Sequence, residues 1–201
     1  MSNLEIDIIE SILLKLNPQK CLEWGSGFST IYFPHFISND AIWISVEHNT
    51  KWHEKIKKAQ LGENVSLYNI GPNKYPWTDK YRDGDYNDLV DYINFPQKFK
   101  NFDFILIDGR ARSSCILKAH DLIDPFGIVV LHDANRKYYH SNFSVFENYT
   151  YLKDNKIING GLWIGGIKKN PIEYLNFLNI KNTYQIFQKN SDNYITEKII
   201  I

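Results

Sequence analysis

The sequence predicts an α/β domain built on a mostly parallel sheet with helices on both faces. Short apolar runs of strand length alternate with segments of helical periodicity, the signature of repeated strand–helix units. The strongest runs end in glycines or acids, so residues able to do chemistry collect at the C-terminal edge of the sheet, where such sheets bind ligands. The 201 residues hold no internal repeat, low-complexity tract or linker-like stretch, which makes one domain the expectation.

Residues 3–16 place Leu4, Ile8, Ile9, Ile12, Leu13 and Leu16 at helical spacing, and Asn17-Pro18 ends the run. CLEW (21–24) is a short strand that stops at Gly25-Ser26-Gly27. FSTIYFPHF then resumes a helical pattern, with Pro34 as its kink or end. AIWISVEH (41–48) is β-rich and ends in an acid, Lys51–Leu61 is a charged helix capped by Gly62, and NVSLYNI (64–70) is a third strand. Residues 71–100, with Pro72, Pro76, Pro96 and a short helix from Tyr86 to Ile93, are too long for a plain connection and read as an insert or lid. FDFILID (102–108) is the strongest strand, a helix follows from Ala111 to Ile123, and GIVVLHD (127–133) repeats the design. YTYLKD and GLWIGGIKK read as two further strands, an antiparallel pair, and the last stretch as a helix and an extended tail. The divisions are therefore an N-terminal helix (1–17), a core (18–167) containing the 71–100 insert, and a C-terminal extension (168–201).

Composition narrows the function. A hydrophobic fraction of 43% with 15% aromatics excludes a disordered chain, because there is ample apolar surface to bury. Lys and Arg number 23 against 23 Asp and Glu, so no global charge draws the protein to nucleic acid or an anionic membrane. Cys21 and Cys115 lie in apolar segments without metal-type spacing and read as buried free thiols. No basic start precedes an apolar core, and no stretch approaches the ~20 apolar residues of a membrane helix, so a cytoplasmic, soluble protein is expected.

Gly25 and Gly27 let the chain turn tightly after the first strand, while Ser26, Ser29 and Thr30 can cap a helix or donate to a carboxylate. The dinucleotide fingerprint would want Gly or Ala at Thr30, and an acid at Glu23 would face a pyrophosphate; it is better placed to receive a ligand's ammonium. Glu47 ends the second strand where a carboxylate clamps ribose hydroxyls, unless it is a solvated strand-end acid. Asp108 ends the fourth strand, and His132-Asp133 the fifth. His132 reads as a general base, its usual pKa of about 6.5 being close to neutrality, or as a hydrogen-bonded strand-end histidine. Arg110, Arg112, Arg136 and Tyr138 follow those strands and suit an acceptor's carboxylate or phosphate, or else tie down their own loops.

Taken in order, LEWGSGFST, SVEHN, FDFILIDGRAR and GIVVLHDAN resemble the motifs of the class I S-adenosylmethionine-dependent methyltransferases, over residues 18–167. The resemblance implies a three-layer αβα sandwich with a Rossmann-like, seven-stranded, mostly parallel sheet whose last strand is antiparallel. It implies S-adenosylmethionine as cofactor, with Glu23, Gly25, Ser26 and Gly27 at the methionine end, Glu47 on the ribose and His48 or Asn69 beside the adenine. Asp108 would lie beside the methionine amine and the transferring methyl. The metal-dependent O-methyltransferases of the class use acids at these strand ends, which Asp108, Asp133 and Asn135 could mimic, but Ala134 interrupts the pattern and a divalent metal is not favoured.

The activity implied is O-methylation. The Tyr-, Trp- and Asp-rich insert suits a sugar or glycan acceptor, and serves equally as a lid or a homodimer contact; the tail TEKIII could pair with another chain. No NPPY-type tetrapeptide follows the fourth strand, which disfavours base methylation. The competing readings are an NAD-type oxidoreductase, which Glu47 fits but Glu23 and Thr30 do not, and a non-catalytic module on the same fold.

Overall fold

The computed structural model describes residues 1–175, 180, 182–190 and 193–199, the last of these as backbone only. Helix α1 (Asn3–Leu16) opens on a capping box in which the Ser2 and Glu5 side chains each accept from the other's backbone N–H, and closes at Asn17 in left-handed conformation. It covers the sheet with the apolar stripe expected of it. The remaining helices are short: α2 (Phe28–Tyr32), α3 (Thr50–Lys57), α4 (Val90–Asn94) and α5 (Arg112–Leu122). The helical run after α2 tightens to a 3-10 turn at Phe33–Phe36, where Pro34 sits.

The strands are β1 (Lys20–Trp24), β2 (Ile42–Glu47), β3 (Val65–Asn69), β4 (Phe102–Ile107), β5 (Ile123–His132), β6 (Asn148–Asp154), β7 (Leu162–Gly166), β8 (Tyr184–Asn190) and β9 (Asn193–Ile199). They form one nine-stranded sheet in the order β3-β2-β1-β4-β5-β7-β6-β8-β9. Strands β1 to β5 pair in parallel, and β7 runs antiparallel to both β5 and β6. The seven strands the resemblance implies are present with that polarity. Strands β8 and β9 are additional, and they come from the C-terminal extension.

Tyr184 and Ile186 alternate inward from β8, and pairing them to β6 covers an edge that would otherwise present unsatisfied backbone groups. The tail thus pairs within its own chain through β9. Residues 200 and 201, and most of the helix expected near 175, lie outside the described residues. Two boundaries also differ. Helix α3 ends at Lys57, short of Gly62, and β5 starts directly after α5 at Ile123.

Two cores follow from the period-two alternation of the buried strands. Leu22, Trp24, Ile105, Ile107, Val129 and Leu131 pack under α4 and α5, while Cys21, Trp43, Phe104, Leu106, Ile128 and Val130 pack under α1. Both cysteines are free and buried. No described helix is long and apolar enough to cross a membrane. The chain winds from β1 outward to β2 and β3, then returns to β4 on the other side of β1, so the topology reverses between β1 and β4, the place where such sheets bind ligands at their C-terminal edge.

Candidate active site

The cleft starts from two glycines. Gly25 has φ +95°, and a Cβ there would stand 2.4 Å from the Gly109 Cα; one on Gly109 would stand 2.0 Å from the Tyr92 hydroxyl. The loops after β1 and β4 therefore touch backbone to backbone, which only glycine allows. On one side the cleft has about 300 Å³ bordered by Glu47, His48, Asn49 and Arg110. On the other it has about 430 Å³ bordered by Met1, Ile6, Gly27, Phe28 and Phe33. Gly25, Ser26, Trp52 and Asp108 border both, so the two spaces are one cleft over the glycines.

Glu23 does not face it. This carboxylate is fully buried and accepts from the Ser29 hydroxyl, the Thr30 hydroxyl at 2.7 Å and Trp43 Nε1 at 3.1 Å. Buried and away from the cleft lining, Glu23 is not placed to meet the ammonium expected on it, and the Ser29 and Thr30 hydroxyls turn inward with it. The Gly27 N–H donates to Thr30 Oγ1, so the three side chains hold the glycine loop from beneath. Burial raises the Glu23 pKa from 4.5 to about 7, against those hydrogen bonds. Because the folded pKa is the higher one, this group makes stability fall as pH rises from 4.5 through about 7. Glu23→Gln is expected to flatten that part of a plot of Tm against pH; an unchanged slope would rule the assignment out.

Glu47 ends β2 beside Asn69 of β3. Its Oε2 accepts the Ser26 N–H at 2.9 Å and hydroxyl at 3.0 Å, and its Oε1 accepts the Asn49 N–H at 2.8 Å. Burial alone would raise its pKa, but the His48 ring, the Asn49 N–H and Ser26 outweigh that and hold it below the usual range. His48 Nδ1 lies 2.9 Å from Oε1 yet off the hydrogen-bond axis, and it and the indole N–H of Trp77, which packs against His48, are buried without hydrogen-bond partners. Asn69 donates to the Glu47 carbonyl and accepts from Thr50. A carboxylate acceptor, the unpartnered Trp77 N–H and aromatic faces thus stand together at the β2 end, a set of groups that suits a nucleoside.

At the β4 and β5 ends, Asp108, His132 and Asp133 come together, joined by a residue the sequence reading missed. His132 Nδ1 is 2.8 Å from Asp108 Oδ1 and 3.6 Å from Asp133 Oδ1, and His132 Nε2 is 3.4 Å from Glu5 Oε2. Glu5 is buried and also accepts the Gly161 N–H at 3.1 Å. Burial would lower the His132 pKa, but Asp108 and Glu5 raise it from 6.5 to about 9. At neutral pH the ring is therefore an imidazolium with both nitrogens engaged. Its raised pKa and its two carboxylate neighbours set it apart from the free imidazole whose usual value suggested a base. Burial would raise the Asp108 pKa, but His132 and Arg112 hold it below the usual carboxylate range. Glu5 could have been found from spacing alone: it sits three, four and seven residues before Ile8, Ile9 and Ile12, on the apolar face.

Arg112, expected on the acceptor, is buried instead. Nε donates to the Gly109 carbonyl at 3.0 Å, Nη1 to the His132 carbonyl at 2.7 Å and to Asp133 Oδ2 at 3.2 Å, and Nη2 to the Asp108 carbonyl at 3.2 Å. It therefore ties the β4 and β5 ends together, spending four of its five N–H donors on these bonds while Nη2 also lies 3.1 Å from Asp108 Oδ1. Arg110 remains half-exposed at the cleft, 3.8 Å from Asp83 of the insert. Arg136 reaches Asp133 at 2.6 Å, and Tyr138 stacks on Tyr81 of the insert at 3.8 Å between ring centroids.

Asn135 cannot serve a metal as it stands. Its amide donates to the Asp154 and Ile157 carbonyls and accepts from the Tyr151 hydroxyl and the Asp154 N–H. Among the described residues no group of three or more His, Cys, Asp or Glu is arranged to hold a metal.

No protein-family model and no curated protein matches the chain. Solved structures do. The O-methyltransferase of Bacillus cereus bound to S-adenosylhomocysteine matches with TM-score 0.63 at 14% identity, over 83% of this chain and 82% of that one. The O-methyltransferase TomG of Streptomyces achromogenes, of tomaymycin synthesis and bound to S-adenosylmethionine, matches with TM-score 0.61 at 12% identity, over 84% and 82%. The chain has the class I methyltransferase fold. A spermidine synthase also matches, with TM-score 0.56 at 14% identity over 98% of this chain and 66% of that one. The methyltransferase fold thus carries more than one reaction, and function must be argued from the site.

Proposed function

We propose that the protein transfers a methyl group from S-adenosylmethionine to a hydroxyl of a small-molecule acceptor, a sugar or glycan being the class that the aromatic and acidic insert suits. The observation that carries this reading is the single cleft over Gly25, Ser26, Trp52 and Asp108 at the switch point between β1 and β4. The O-methyltransferases of the same fold, bound to the methyl donor or its product, add to it.

When bound, the cofactor supplies an electrophilic methyl: a hydroxyl oxygen forms the C–O bond, the C–S electron pair stays on sulfur, and the hydroxyl proton is released. The backbone of Gly25, Ser26 and Gly27 would hold the methionine end, Glu47 the ribose, and His48 or Asn69 the adenine. Asp108, ionised and anchored by His132 and Arg112, would offer a fixed negative charge to the cofactor's positive end. His132 can take the hydroxyl proton only when neutral, which requires Glu5 to leave Nε2. Until then it positions Asp108. Alignment of donor and acceptor supplies most of the acceleration such a displacement needs.

Calorimetric titration with S-adenosylhomocysteine tests the reading. Saturable binding is expected, none with NAD, and Glu47→Gln is expected to weaken S-adenosylhomocysteine by about tenfold. Absence of binding at millimolar ligand, or preference for NAD, overturns it.

A further inference from the structure

We propose that the acceptor carries a phosphoryl group, held in the groove between the segment after β5 and the β6–β7 loop. The groove has about 740 Å³ and is separate from the cofactor cleft; Arg136, Lys137, Tyr138, Lys153 and Lys156 are among its lining residues, with Tyr81 of the insert at Tyr138. That the bound molecule is the methyl acceptor rests on the methyl-transfer reading. The anion site rests on the groove alone.

The chain has zero net charge, so cations gathered without acids are informative. The one acid lining this groove is Asp154, which is buried and spends Oδ1 on the N–H groups of Lys156 and Ile157 at 2.7 and 2.9 Å. Lys137, Lys153 and Lys156 are exposed, and among the described residues none forms an ion pair with a carboxylate. Arg136 gives Nη2 to Asp133 and leaves its Nε–H without an acceptor. Several separate ammonium point charges exceed what one carboxylate neutralises, and they suit the spread charge of a phosphate ester or diphosphate.

The walls are preformed. The Asn135 amide joins the two sides of the groove, and the backbone adds Ala134 N–H to Gly161 at 3.0 Å and Asn135 N–H to Gly160 at 2.8 Å. The groove is tied to the reaction centre by a relay of ion pairs. Arg136 holds Asp133, and Asp133 shares Arg112 with Asp108. The stacked Tyr81 and Tyr138 offer a flat face to a sugar or base attached to the phosphate.

Inorganic pyrophosphate is the probe, titrated calorimetrically into the full chain. Saturable binding is expected; the K153A/K156A double variant should weaken it by about tenfold or more, and a K57A/K58A control on α3 and its C-cap by less than about twofold. S-adenosylhomocysteine affinity should be unchanged in K153A/K156A. Equal pyrophosphate binding in wild type and K153A/K156A, or an equal loss in the control, overturns the proposal, the latter marking diffuse surface attraction. If S-adenosylhomocysteine fails to bind while pyrophosphate still depends on Lys153 and Lys156, the anion site stands and the methyl-transfer reading falls. Competition by a hexose phosphate and by uridine diphosphate then separates a monoester from a nucleotide-linked acceptor; tighter displacement by either supports the site.

Discussion

Replacing Arg112 by alanine is expected to lower the free energy of unfolding by about 3–5 kcal/mol, the cost of removing one partner from a buried charge network. The guanidinium is buried, and its nitrogens meet three backbone carbonyls as well as Asp108 and Asp133. Without it the Gly109, His132 and Asp108 carbonyls lose donors, and Asp108 and Asp133 lose the cation they share, leaving His132 between them and Arg136 on Asp133. Asp83 of the insert also docks here, accepting the Arg112 N–H at 3.1 Å and giving its carbonyl to the Ala111 N–H at 2.8 Å, so loosening α5 loosens the insert. Arg112→Lys keeps the charge but loses the planar fork, and should fall between the two. Urea unfolding of the three proteins measures this. An alanine variant within about 1 kcal/mol of wild type would mean that these bonds contribute little net stability.

Arg112 also marks where the sequence stops being legible. Its place after a parallel strand could be read, because β4 and β5 end in the apolar runs Phe104–Ile107 and Ile128–Leu131 and the residues just beyond them must lie at the sheet edge. Its direction could not. Ala111 and Asp133 both adopt left-handed backbone, with φ 49° and 60°, and neither residue type announces it. Those two turns aim Arg112 inward and bring Asp133 onto it. Glu23 failed in the same manner: a strand-end acid was legible, but not that Ser29, Thr30 and Trp43 would consume its oxygens. Strand β8 was missed because its alternation is carried by few apolar residues among Gln, Lys and Asn, a weak signal until β6 supplies the partner, while the extended tail was legible but its partner, β8 of the same chain, was not. What spacing shows is which residues share an edge, and hydrogen-bond partners then decide which of them remain free to act.

The second large effect concerns pH. Stability is expected to fall by about 3 kcal/mol as pH rises from 6.5 through about 9, from His132. The folded pKa is raised above the unfolded 6.5, so the folded state binds the proton more tightly and the gain is complete below 6.5 and gone above about 9. Glu5 is the same interaction seen from its partner. Burial would raise its pKa, but His132 and the Ser2 N–H lower it from 4.5 to about 2, so its share is present above 4.5 and lost as pH falls through about 2. The pair is complete between 4.5 and 6.5, and the two shares are not to be added.

Glu5→Gln isolates it, since glutamine at this position still completes the capping box with Ser2. The His132 midpoint, followed by NMR of the ring Cε1 proton, should drop by about one unit or more in that variant while Asp108 continues to hold Nδ1. A midpoint unmoved by Glu5→Gln would show that Asp108 and Asp133 set the charge without Glu5, and α1 would then have no part in it. A midpoint that moves toward neutrality makes α1 the element that decides whether His132 is a fixed cation or a usable base.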